Sequence, residues 1–153
     1  MPLSPAERAM HAEHFKAARQ AARAGAGSGG IPIGAALVRD GKLVATGHNE
    51  RVQQSDPTAH AEIACLRAAG RQSTYRDTVL YSTLAPCAMC TGAIIQFQIP
   101  CVIVGEAETF PGELDLLRSR GVDVVVLNDP ECINLMLDFQ QSNPGLWAED
   151  IGR

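Results

Sequence analysis

No stretch of this chain is apolar for long enough to cross a bilayer, and its first residues lack the hydrophobic core of a secretion signal. Both absences point to the cytoplasm as the working compartment. Positive charge is also scarce: 13 Lys and Arg stand against 17 Asp and Glu, a formal net charge of −4. With no Lys/Arg cluster, a nucleic acid held by broad electrostatic attraction is a poor fit as partner. Aromatics make up only 5% of the residues, and Trp147 is the single tryptophan. Five cysteines, an odd number, argue against a disulfide framework, and Cys65, Cys101 and Cys132 read as reduced residues packed in the core. Repeats, low-complexity tracts and linkers are absent too, which leaves one domain over residues 1–153, long enough to bury a sizeable core.

What is present alternates in a regular way. Ser4-Pro5-Ala6-Glu7 has the form of a capping box, and an Ala-rich helix should follow to about Ala24. His11 and His14 lie one turn apart on that helix and are expected on its surface, since no third ligand is near in sequence. Two strand-like segments, Gly34 to Arg39 and Lys42 to Gly47, flank Asp40-Gly41, which predicts an antiparallel hairpin. Helices are then predicted over 60–69, 87–97, 113–120 and after Asp129-Pro130, with strands over 78–82, 101–105 and 123–127. Strands joined by helices imply right-handed parallel crossovers. The expected architecture is α/β: three layers, α/β/α, around a central five-stranded mixed sheet.

The chemistry concentrates in two short segments, His60-Ala61-Glu62 and Pro86-Cys87-Ala88-Met89-Cys90. Cysteines at i and i+3 behind a proline suited to the first helical turn place both sulfurs at a helix start. There the macrodipole and free backbone N–H groups favour thiolates, so both cysteines are expected to be deprotonated and ready for a soft divalent metal. With His60, Cys87 and Cys90 as ligands the count is three, and three protein ligands with a water in the fourth position is the catalytic pattern of zinc. A redox role for the Cys-x-x-Cys pair would have no use for a His-x-Glu partner. Glu62, two residues from the ligating His, is placed to take the water's proton. Two thiolates neutralise the metal's charge, so the metal alone lowers the water's pKa less and a base is needed.

These residues resemble the cytidine deaminase-like superfamily, whose zinc signature is His-x-Glu followed by Pro-Cys-x-x-Cys, and within it the fungal-type cytosine deaminases. The similarity runs from about Gly30 to the C-terminus and rests on Ile31-Pro32-Ile33-Gly34, Gly47-His48-Asn49, His60-Ala61-Glu62, Leu80 to Ile95, Val102 to Glu106, and the tail Trp147 to Gly152. It implies one catalytic zinc per chain on His60, Cys87 and Cys90, with Glu62 as proton shuttle. It further implies that Asn49 and the backbone of Ala61 hold the polar edge of a base, that Asp150 accepts from its amino group, and that Phe110 and Trp147 close over the ring. Ile33 and Ala85 complete that substrate-binding set. Ala85 stands where the family tends to have Ser, and Ala88 where it can have Asp.

The expected activity is hydrolytic deamination of a free nucleobase, cytosine to uracil plus ammonia, by hydroxide on zinc, as in pyrimidine salvage by a homodimer. Deamination of another cyclic amidine such as guanine or creatinine, or of adenosine in tRNA, uses the same zinc motif. A non-catalytic zinc-binding module is the remaining alternative, and the intact Glu62 speaks against it.

Overall fold

The computed structural model describes residues 3–153. Eleven elements follow one another: α1 (Pro5–Gly27), β1 (Gly34–Arg39), β2 (Lys42–His48), α2 (Ala61–Ala69), β3 (Thr78–Ser82), α3 (Ala88–Gln96), β4 (Cys101–Val104), α4 (Leu114–Ser119), β5 (Asp123–Val126), α5 (Pro130–Ser142) and α6 (Pro144–Asp150). The strands form one sheet in the order β2-β1-β3-β4-β5. β1 pairs antiparallel with β2 and with β3, whereas β3, β4 and β5 run parallel. The expected five-stranded mixed sheet is therefore present.

The hairpin turns where Asp40-Gly41 predicts it, with both residues at positive φ (51° and 72°), the geometry of a type I′ turn. Alternation along the strands then divides the core. Ala35, Leu37, Leu80, Val102 and Val104 bury one face of the sheet against Ala61 and Cys65 of α2, Ile94 of α3, and Leu114 and Leu117 of α4. Ala36, Val38, Tyr81 and Ile103 bury the other against Phe15 and Ala18 of α1 and Cys132 of α5. Burial on both faces is what parallel crossover strands require. Gly47 sets the distance between β2 and α2: a Cβ there would lie 2.4 Å from the Cys65 amide nitrogen. The start of α2 is thereby held close over the sheet.

Several expectations are corrected. α1 runs three residues past Ala24, because Gly25 packs directly against the His48 ring and tertiary contact outweighs glycine's poor helix propensity. His11 is not on the surface: it is 7% exposed, and its Nδ1 sits 2.7 Å from the Tyr81 hydroxyl. His14 is half-buried beside the same ring. α3 begins at Ala88 with Cys87 as its N-cap, so Pro86 precedes the cap instead of occupying the first turn. A sixth helix, α6, has no counterpart in the sequence-based expectation. Cys65 and Cys132 are buried free thiols, as expected, and Cys101 is a half-buried one.

Candidate active site

The end of the sheet where β2 and β3 finish and β1 begins is where chemistry-bearing residues gather. His60 caps α2 and Cys87 caps α3, each with extended backbone at the cap. Two helix starts thus point their unpaired N–H groups and positive dipole ends at one place. Cys87 Sγ lies 3.4 Å from His60 Nδ1, and the three donor atoms of His60, Cys87 and Cys90 all lie within 4.8 Å of one another. Ligands on a tetrahedral zinc are separated by roughly 3.5 to 3.8 Å, given Zn–N near 2.0 Å and Zn–S near 2.3 Å. One imidazole and two sulfurs at this spacing suit a soft divalent ion. Among the described residues this is the only such group of three or more His, Cys, Asp or Glu side chains.

Charge is distributed unevenly over the cluster. Cys87 is pulled down to about 4, chiefly because the Cys90 thiol donates to it, with His60 adding to the effect against the opposing pull of burial. Cys90 is pushed the other way by the same shared proton and by burial. Burial works against a charged His60, but the Cys87 sulfur and the Asp150 carboxylate outweigh it and carry the ring up to about 9. A divalent cation binding both sulfurs requires both as thiolates, and its binding releases the proton the pair still shares. Glu62, 4% exposed, is raised to about 7 by burial, with the Cys87 charge contributing. A carboxylate at that value exchanges protons readily near neutral pH.

Beside the cluster lies a small cavity whose walls include His60, Glu62 and Cys87 together with Asn49, Ala61, Ala85, Asp150, Phe110, Trp147 and Ile33. All seven residues of the expected substrate set come together there. Cys90 sits behind the wall, fully buried. The cavity measures about 20 Å³, room for little more than one water. α6 roofs it. Phe110 and Trp147 meet edge to face with ring centroids 5.7 Å apart. Asn49 donates through Nδ2 to Asp150 Oδ1 at 3.0 Å, while its own Oδ1 accepts from the Arg51 amide at 3.0 Å. Burial raises the Asp150 carboxyl above its ordinary value, and His60 opposes the shift.

Other contributors escaped the sequence reading. Leu84 and Ile151 complete the cavity wall. Arg51 donates through Nη1 to Glu149 at 2.9 Å, a partly exposed pair between the loop after β2 and α6. Glu106 is fully buried and accepts from the amides of Glu108 and Thr109, which orders the turn leading to Phe110. A carboxylate following the apolar run of β4 was its only visible trace.

An α/β/α sandwich with a His/Cys/Cys cluster and a buried carboxylate beside a small cavity is the arrangement of a zinc-dependent hydrolase. Residues 8–106 match the cytidine and deoxycytidylate deaminase zinc-binding region, and the chain belongs to that family. It is 46% identical over 127 residues to a cytosine deaminase of Candida albicans, covering 81% of this chain and 85% of that protein. A tRNA-specific adenosine deaminase of Buchnera aphidicola is 51% identical over 81 residues, covering 51% of this chain and 54% of that protein. Among solved structures, a guanine deaminase from Nitrosomonas europaea superposes with a TM-score of 0.72 at 22% identity, covering 92% of this chain and 87% of that one, and shares the fold.

Proposed function

We propose that this single-domain protein deaminates a free nucleobase, cytosine to uracil plus ammonia, with one zinc per chain held by His60, Cys87 and Cys90. The observation that carries the substrate class is enclosure. Asn49 is fully buried, the Asp150 side chain is 3% exposed, and α6 closes the cavity. A base fits under such a roof once α6 yields, whereas a ribose or a tRNA strand would hold it open. Similarity along most of the length of a cytosine deaminase supports the same substrate.

When bound, zinc supplies the Lewis acidity that activates a water. Glu62 takes a proton from that water and delivers it to the ring nitrogen next to the amino-bearing carbon, which makes the carbon electrophilic. The water oxygen bonds to that carbon. Glu62 then takes the proton left on that oxygen and passes it to the exocyclic nitrogen; as the carbonyl forms, the C–N bond breaks and ammonia leaves with its electron pair. Asp150 accepts from the amino group, Asn49 and the Ala61 amide hold the opposite polar edge, and Ala85 offers its backbone. Phe110, Trp147 and Ile33 enclose the ring and exclude further water.

We also infer that the protein works in the cytoplasm, in pyrimidine salvage, as a homodimer. No helix among the described residues is long and apolar enough to cross a membrane. Met89 and Phe97 of the α3 segment are exposed, and Tyr75 lies tilted 5.6 Å from Phe97; these are apolar side chains that a second copy would cover. Ammonia release from cytosine, cytidine, guanine, adenine and creatinine, with zinc measured on the same sample, tests the assignment. Turnover of guanine or of cytidine in preference to cytosine would replace it.

A further inference from the structure

We propose that Asp150 is a positioning residue for the metal ligand His60: its carboxylate takes the ring's Nε2–H, so that Nδ1 faces the metal, and α6 thereby helps retain the ion. This rests on the zinc-dependent reading of the site and adds a second role to the one given to Asp150 above.

The two ring nitrogens of His60 have different neighbours. Nδ1 is 3.4 Å from Cys87 Sγ, on the side of the donor cluster. Nε2 is 3.4 Å from Asp150 Oδ1, on the side of α6. A neutral imidazole carries one proton, and the nitrogen that gives its lone pair to a metal must be the bare one. A carboxylate beside the other nitrogen selects that tautomer and fixes the plane of the ring. Both side chains are sheltered, 10% exposed for His60 and 3% for Asp150, so the interaction is little screened by solvent. Asn49 holds the acceptor in place by donating 3.0 Å to the same Oδ1. Among the described residues no protein donor reaches Oδ2, which leaves the second oxygen for the amino group of a base. The two roles of Asp150 fall on separate atoms.

The test is zinc affinity, measured by competition against a chromophoric chelator on stripped wild type, Asp150→Ala, Asp150→Asn and Glu149→Ala. Asp150→Ala should bind zinc about 10- to 100-fold more weakly, Asp150→Asn should fall between, and Glu149→Ala should match wild type. Zinc affinity of Asp150→Ala within about twofold of wild type overturns the proposal. Wild type without zinc would instead remove the zinc reading itself. If Asp150→Ala does not fold, Asp150→Asn decides by nitrogen-edited NMR of the zinc-loaded protein. Wild type should show a sheltered proton on His60 Nε2 that exchanges faster in Asp150→Asn; a proton on Nδ1, or equal exchange, overturns the assignment.

Discussion

The Asn49 amide donates to the Asp150 carboxylate across 3.0 Å, joining two residues 101 positions apart in the chain. In doing so it fastens the end of α6 to the loop that leaves β2. Asn49 and Asp150 are both cavity residues, so the contact that closes the site is built from the groups proposed to read the substrate.

Asp150→Ala should reduce kcat/KM by at least about 100-fold even with zinc at saturation, because the amino group of the base then has no acceptor. Glu149→Ala, one residue earlier, should change it less than about threefold, since its partly exposed pair with Arg51 contributes little. Steady-state kinetics on cytosine decides. Equal losses would place Asp150 outside the site.

Glu62→Gln should lower kcat by roughly 10²- to 10⁴-fold while zinc content stays at wild-type level. The amide fits the buried space but cannot carry the proton. Metal analysis alongside ammonia release checks both halves of the statement.

Base entry should be visible in Trp147 fluorescence, since the only tryptophan in the chain lines the cavity. A cavity of about 20 Å³ must open to admit a ring, which displaces Trp147 from the edge of Phe110. Titration with uracil should shift or quench the emission in a saturable way. An emission unmoved by a base that competes with the substrate would contradict this.

Acid should weaken the fold through His11. Burial holds its pKa below the ordinary 6.5, and the His14 charge pushes the same way. On the far side of the ring Tyr81 faces it through a neutral hydroxyl, while Glu7 on the same helix acts in the opposite sense. Because the native ring binds its proton less readily than the unfolded one, stability is complete above 6.5 and falls as pH drops below it. Thermal melts between pH 5 and 8 should show this acid limb, and His11→Gln should flatten it.

Gly47→Ala should destabilise the protein by about 1–3 kcal/mol, since the added methyl meets the α2 backbone and the helix must lift from β2. His60 caps that helix, so zinc affinity should fall with stability. Urea melts and chelator competition on the same variant test the coupling.

The hairpin and the metal cluster were legible because each is written in local chemistry: Asp40-Gly41 demands positive φ, and His60, Glu62, Cys87 and Cys90 are spaced for helix starts. The helix α6 was not. Asn143-Pro144 is an adequate start signal, yet its seven residues have no apolar stripe of their own and owe their place to Phe110 and Asn49. His11 was misplaced for a similar reason, because its partner Tyr81 lies 70 residues away.

The position of α6 also sets an order of assembly during translation. Cys90 leaves the ribosome about sixty residues before Asp150, an interval of roughly 3 to 12 seconds at ordinary elongation speeds. A nascent chain thus presents His60, Cys87 and Cys90 to cellular cations well before the residues of the roof have been made.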